Sequence, residues 1–191
     1  MHPTVLALND HLLDNGYLSS AFHSINIPPG QAAQRLRHDD QYVTVPRPHR
    51  PFGAVCHHGG SGCVHGGEWG HRHRARIAYS GGDGMPERAE AVSVAMPAGS
   101  MMYFVGTLGH GGGRNASGAE RLAPTAQYCQ PWMTQLENQQ PAVDWDKLDD
   151  IPPRLVGMMG YKVGMPLIGY VDGRSPRTRV AELLDEWKGQ S

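Results

Sequence analysis

The sequence has little of what marks a disulfide-rich, membrane-spanning or nucleic-acid-binding protein. It contains three cysteines, an odd number that does not make a disulfide framework. No apolar run approaches the length needed to cross a bilayer. Its 17 basic and 18 acidic residues give a net charge of -1, so no basic field favours nucleic acid or a membrane surface. The N-terminal segment lacks the basic and apolar regions of a signal peptide, so we expect a soluble, cytoplasmic protein.

Aromatic residues are also scarce, at 7%, whereas 25 glycines and 15 prolines are present. This composition favours many turns and short strands over long helices. A chain of 191 residues suits one domain over residues 1–191. Extended patterns occupy the middle of the chain and helical patterns occupy its ends. The order predicts a mainly β fold of jelly-roll type with flanking helices.

Local patterns predict the individual elements. A helix is expected over residues 3–13 with a stop at Gly16, and a second helix at the C-terminal end. Residues 109–120 read as a glycine-rich loop, and residues 130–139 begin a helical region. Strands are expected at 17–27, 31–45, 90–108 (in two pieces) and 121–129.

The segment "RHDDQ" contains a first candidate metal-binding pair. His38 and Asp40 lie two residues apart, so on a strand they point to the same face. With one more histidine they would complete a 2-His-1-carboxylate facial triad, which leaves positions open on a non-heme iron. The motif is short, and taken alone it favours a solvated polar turn over a metal site.

A second candidate pair follows at His110 and Arg121. A ten-residue loop separates them, and if the flanking strands pair, the two side chains can approach across the ladder. Histidine is suited to iron, and arginine is suited to a two-pronged grip on a carboxylate. The alternative is a glycine-rich hairpin in which both residues are incidental.

Together the two pairs resemble the phytanoyl-CoA dioxygenase family of Fe(II)/2-oxoglutarate oxygenases. That family carries His-x-Asp, a distal histidine and an arginine eleven residues later, the spacing of His110 and Arg121. The segments "MPAGSMMYFVGTLGHGGGRNASGAER", "QYCQPWMTQLENQ" and "GYVDGRSP" are similar to the family, and the similarity runs from about residue 9 to the end except at residues 56–84. The resemblance implies a cupin-like double-stranded β-helix, Fe(II) on His110, and 2-oxoglutarate on Arg121. It also implies that O2 and a small organic molecule are substrates.

The first motif departs from the family in its register. Many relatives read Leu-His-x-Asp, whereas here Leu36 is followed by Arg37. Either His38 and Asp40 are the ligands, or Arg37 occupies the histidine position and Asp39 is the carboxylate ligand. The two registers exclude each other, because a slip of one residue reverses every side chain. In the second register one iron ligand is lost.

The stretch from Cys56 to Arg74 holds two cysteines and five histidines, yet it does not have the paired spacing of a structural zinc site. Relatives have two core strands and a phrase like "FT-ENGAT-V-PGSH" at this place. If the codons of this stretch are read one base out of frame, the shifted codons can encode the family residue at each position of that phrase. We therefore expect a frame-shifted window near residues 56–84, irregular, exposed and poorly packed. Only 37 residues precede His38, so part of an N-terminal region is also expected to be missing.

Three functions follow from these observations. The first is an Fe(II)/2-oxoglutarate-dependent dioxygenase that hydroxylates a small organic substrate, with activity impaired in this chain. The second is a non-catalytic jelly-roll remnant of the same family. The third is a zinc-binding module built on the Cys/His-rich segment. Nothing in the sequence identifies the substrate or the oligomeric state.

Overall fold

The computed structural model divides the chain into two compact units. Unit 1 comprises Met1–Val5 and Phe22–Gln127, and unit 2 comprises Leu6–Ala21 and Tyr128–Ser191. The single domain expected from the sequence stays a prediction. The structure describes residues 1–46, 48–58, 71–73, 87, 89, 91–94, 99–165 and 167–190.

Short strands dominate the middle of the chain, and helices lie at both ends. The strands form a four-stranded sheet of order β1-β7-β2-β5 and a three-stranded sheet of order β4-β3-β6. This antiparallel β architecture with flanking helices confirms the predicted class. The strands are β1 (Leu18–Ile27), β2 (Gly53–His58), β3 (His71–His73), β4 (Val92–Val94), β5 (Met101–Val105), β6 (His110–Gly112) and β7 (Arg121–Cys129). The helices are α1 (Pro3–Leu12), α2 (Pro153–Val156) and α3 (Pro176–Lys188), with a 3-10 helix at Trp145–Asp150 and a π-helical turn at Gly157–Tyr161.

Several predicted elements are confirmed. Helix α1 forms, and Gly16 follows it with φ +93°, a conformation that favours glycine. Strands β1 and β7 match the two extended patterns at 17–27 and 121–129. The C-terminal helix also forms, and its start is capped: the Ser175 side chain accepts a hydrogen bond from the Thr178 amide, and proline follows at the first helical position.

Three predicted elements are wrong. Residues 31–45 form no strand and make one backbone bridge, at Arg37. The glycine-rich segment is partly β6 rather than wholly a loop. Residues 130–139 form turns and bends, and the first helical residues after them begin at Trp145. In each case contacts with residues distant in the sequence outweigh the local pattern. A short stretch of sequence does not contain those residues.

The window near residues 56–84 is more regular at its described positions than expected. Cys56 is 1% exposed and lies in β2, which pairs antiparallel with β5 so that Cys56 faces Tyr103. His71–His73 form β3. The expected irregularity is wrong at Cys56–His58 and His71–His73, which lie in strands, and the expected exposure is wrong at Cys56. Cysteine behaves as a small apolar residue, so the apolar run that begins at Ala54 continues through it. The rest of the window lies outside the described residues.

Unit 2 has its own apolar cluster. Leu148, Val156, Tyr161 and Val180 are buried together, with Trp145 packed against them. Trp145 in turn stacks on Trp187 of α3, with ring centroids 5.5 Å apart. In the part of the chain that the structure describes, no helix combines the length and hydropathy needed to span a bilayer.

Candidate metal centre

Strand β6 lies against the segment that carries the first motif. The amide of Arg37 donates to the His110 carbonyl and the amide of His110 donates to the Arg37 carbonyl, both at 2.8 Å. Glycine makes this approach possible, because a Cβ on Gly111 would lie 2.8 Å from the Arg35 carbonyl oxygen. The Gly112 amide also donates to the side chain of Gln34 at 3.0 Å. The glycines of "GHGGG" thus hold the two segments in register.

The backbone pairing of Arg37 with His110 places Asp39 beside the His110 ring. Nε2 of His110 lies 3.3 Å from the Asp39 carboxylate. Nδ1 of the same ring lies 3.0 Å from the Leu108 carbonyl oxygen, which accepts its proton. The ring is 1% exposed and packs on Phe104 at 4.7 Å between centroids. A histidine whose Nδ1 is held by a carbonyl presents Nε2, the nitrogen suited to bind a metal.

The Asp39 carboxylate is ionised at neutral pH. Burial by itself would raise its pKa, but the hydrogen bond and charge of His110, together with the charge of Arg37, lower the pKa below its usual 3.8. The hydrogen bond from His110 requires a proton on Nε2, so Asp39 and His110 would supply two of the three donors of a facial triad only after that proton is released.

Arg37 occupies the position beside this pair. Its Nε lies 3.6 Å from the Asp39 carboxylate, and Nη1 donates to the Gln34 side chain at 3.0 Å. A guanidinium is always charged and has no lone pair to give to a metal. The structure therefore brings Arg37, Asp39 and His110 together.

His38 and Asp40 are also buried, at 8% and 3% exposure. The Asp40 carboxylate lies 3.5 Å from Nε2 of His49, and the His49 ring stacks on Phe52 at 4.5 Å between centroids. Sequence reasoning missed His49, since a histidine in a proline-rich loop carries no pattern. The adjacent carboxylates thus contact different imidazoles.

Arg121 opens β7 and is 4% exposed. Burial lowers its pKa, although an arginine remains charged at any pH a protein meets. The strands of His110 and Arg121 do not pair, because β6 belongs to the three-stranded sheet and β7 to the four-stranded sheet, so an approach of the two side chains across a ladder is not formed. The loop between them is nevertheless fixed at both ends.

Asn115 fixes that loop, and sequence reasoning missed it. The side chain is fully buried. Its amide donates to the carbonyls of Ile27 and Ala119 at 3.0 and 2.9 Å, and its oxygen accepts from the Ser117 hydroxyl at 2.7 Å. Asn-x-Ser is a turn pattern that could have indicated this role. Asn115 thereby fixes the start of β7, where Arg121 lies.

The donors fit an iron site only in part. Asp39 and His110 are of suitable chemical type, whereas Arg37, at the sequence position where the family resemblance implies a histidine, has no lone pair to donate. Among the described residues, no group of three or more histidines, cysteines or acidic residues is placed to hold a metal. The residues therefore do not fit a complete facial triad. Burial raises the pKa of the Cys56 thiol.

No family model matches the sequence. Similar solved structures include the non-heme monooxygenase ThoJ in its apo form, with a TM-score of 0.57 and 14% identity over 98% of this chain and 69% of that one. AviO1 from Streptomyces viridochromogenes Tue57 has a TM-score of 0.54 and 18% identity, over 69% and 59% of the two chains. The non-heme alpha ketoglutarate dependent epimerase SnoN from nogalamycin biosynthesis has a TM-score of 0.53 and 16% identity, over 68% and 53%.

The chain is shorter than these proteins, and it spans only 31% of the length of another of similar fold, EvdMO1. Identities of 14–18% show a shared fold and do not transfer an activity. The chain has a fold that occurs in non-heme oxygenases.

Proposed function

We propose that the chain is an Fe(II)/2-oxoglutarate-dependent dioxygenase domain of phytanoyl-CoA dioxygenase type, built to hydroxylate a small organic substrate with O2. The contact that carries the proposal is the buried 3.3 Å approach of His110 Nε2 to the Asp39 carboxylate. Asp39 and His110 are the metal donors, and Arg121 binds a carboxylate of 2-oxoglutarate. The fold shared with non-heme oxygenases supports the reaction class, and a double-stranded β-helix is the arrangement we propose for the whole sheet structure.

Asp39 is the proposed ligand rather than Asp40. The backbone pair between Arg37 and His110 holds this segment against β6, and the Asp39 carboxylate then lies 3.3 Å from Nε2 of His110. The Asp40 carboxylate instead lies beside His49. The alternative ligand set of His38 and Asp40 needs a slip of one residue, which would break both 2.8 Å hydrogen bonds of the Arg37–His110 pair.

The presence of Arg37 favours a second candidate function, that of a non-catalytic protein with the same fold. Its guanidinium neutralises Asp39 at 3.6 Å, and a bound cation would have to displace it. The chain as it stands is therefore expected to bind iron weakly and to be a poor oxygenase.

Replacing Arg37 with histidine tests the proposal. We expect Arg37→His to raise the affinity for Fe(II) by about tenfold or more, because one imidazole is added and one repelling cation is removed. The measurement is anaerobic calorimetric titration of Fe(II) into the full chain.

The matched control is Arg114→His, an exposed position of the same strand-and-loop segment. It adds the same imidazole and removes the same charge away from the site, so its Fe(II) affinity should equal that of the parent. His110→Ala in the Arg37→His chain should remove the gain. Equal affinities for Arg37→His and Arg114→His would refute the assignment.

A further inference from the structure

Unit 2 contains a cavity of about 470 Å³ that has no part in the proposed metal centre. Its wall includes Asp10, Asn15, Tyr17, Arg154, Met158 and Lys162. A volume of several hundred Å³ is typical of pockets that hold small organic molecules. The distribution of charge on this wall indicates which molecules fit.

Lys162 is a half-buried cation on this wall. Among the described residues, none forms a salt bridge or a side-chain hydrogen bond with its ammonium group. Burial and the charge of Arg154 both lower its pKa. A half-buried ammonium group of this kind is stabilised by an anion that the cavity can admit.

The neighbouring Arg154 is already partly neutralised. Its guanidinium donates to the Asp10 carboxylate at 2.5 Å and to the Tyr17 hydroxyl at 2.9 Å. Two cations and one carboxylate give the cavity wall a net charge of +1. That charge matches a monovalent carboxylate better than a divalent phosphate.

The stem of Lys162 is held by a glycine. A Cβ at Gly157 would lie 3.1 Å from Cδ of Lys162, so a larger residue there would push the lysine stem aside by a few tenths of an ångström. Met158 and Tyr17 also line the cavity, although each is almost fully buried. The cavity thus has a mainly polar, positively charged wall with a smaller apolar part.

We infer that this cavity is a binding site for a small organic carboxylate, whose carboxylate group contacts Lys162 and Arg154 and whose carbon chain lies against Met158 and Tyr17. Proteins commonly hold such ligands with one or two polar groups that fix orientation and an apolar wall that supplies contact. The inference is independent of the proposed metal centre, because none of the donors named there belongs to unit 2.

The probe is hexanoate, with hexylammonium as a ligand of the same length and opposite charge. Each is titrated into the full ¹⁵N-labelled chain while backbone amide shifts are followed by NMR. We expect hexanoate to shift the amides of Asn15, Gly16 and Lys162 along saturable curves, and hexylammonium to leave them in place. Inorganic phosphate should bind more weakly than hexanoate.

Two variants and one control identify the group responsible. Lys162→Gln should weaken hexanoate binding by about fivefold or more, since a hydrogen bond to a charged group is lost at a half-buried position. Lys162→Arg keeps the charge and should retain most of the affinity. Lys188→Gln removes an exposed lysine that already pairs with Asp146 and should change nothing.

Three results would overturn the inference. These are saturable shifts with hexylammonium, tighter binding of phosphate than of hexanoate, or an affinity for hexanoate that Lys162→Gln leaves unchanged. In the same spectra, the shifts of amides remote from the cavity show whether each variant is folded. If Lys162→Gln is misfolded, the hexanoate affinity of Lys162→Arg serves as the test instead.

Discussion

At position 37 the side chain is a guanidinium, and its Nε lies 3.6 Å from the carboxylate of Asp39. The same carboxylate oxygen lies 3.3 Å from Nε2 of His110. A cation built into the chain thus takes the place that a metal ion would take beside Asp39. This is why a carboxylate and an imidazole of suitable chemistry do not by themselves make a complete iron site here.

Arg121 gives a prediction at the residue scale. In the Arg37→His chain, Arg121→Lys should weaken 2-oxoglutarate binding by about 1.5–3 kcal/mol, because an ammonium group cannot reproduce the paired hydrogen bonds of a guanidinium. Calorimetric titration of 2-oxoglutarate in the presence of Fe(II) measures the change. Arg114→Lys, an exposed change of the same kind, serves as the control. An unchanged affinity would remove Arg121 from this role.

Cys129 gives a second prediction at this scale. Burial raises the pKa of its thiol to about 11, against a smaller lowering by the Ser20 hydroxyl. Because the thiolate is the reactive form, alkylation of native Cys129 by iodoacetamide should be slow at pH 8 and should still be rising at pH 10. Peptide mass spectrometry follows the labelling, with the urea-unfolded chain as reference. If the labelling rate of the folded chain stopped rising near pH 9, the Cys129 thiol would not remain buried.

At the scale of elements, the glycines of β6 determine the geometry of the candidate site. Gly111 and Gly112 have no side chain, so the segment containing Gln34 and Arg35 approaches their backbone directly. That contact positions Arg37 opposite His110. The same sequence feature that suggested a flexible loop therefore serves a packing role.

Gly111→Ala tests this role. The added Cβ would lie 2.8 Å from the backbone carbonyl of Arg35, so one of the two segments must move. We expect the free energy of unfolding to fall by about 1–3 kcal/mol, the usual cost of overpacking. Urea denaturation monitored by circular dichroism measures it.

Gly118→Ala is the control for Gly111→Ala, because a Cβ at Gly118 meets nothing within 4 Å. It should leave the free energy of unfolding nearly unchanged or raise it slightly, since alanine restricts the unfolded chain. Equal losses for the two variants would mean that the close approach at Gly111 does not hold the segments together.

At the scale of the whole molecule, the sequence predicted the class of fold and both end helices, because periodicity and capping residues are local signals. It could not choose between Asp39 and Asp40, because register depends on a backbone pair between residues 73 positions apart in the chain. Asn115 and His49 were missed for the same reason, since their partners are distant or their surroundings lack a pattern. The frame-shift hypothesis predicted irregular chain where Cys56 proves to be buried in β2.

The most direct test of the account compares the two adjacent carboxylates. In the Arg37→His chain, Fe(II) affinity is measured by anaerobic titration after Asp39→Asn and, separately, after Asp40→Asn. The account predicts that Asp39→Asn lowers the affinity by about a hundredfold or more, as expected for loss of an anionic ligand, while Asp40→Asn leaves it within about threefold. Loss of Fe(II) binding on Asp40→Asn, with binding preserved on Asp39→Asn, would contradict it and would establish the register of His38 and Asp40.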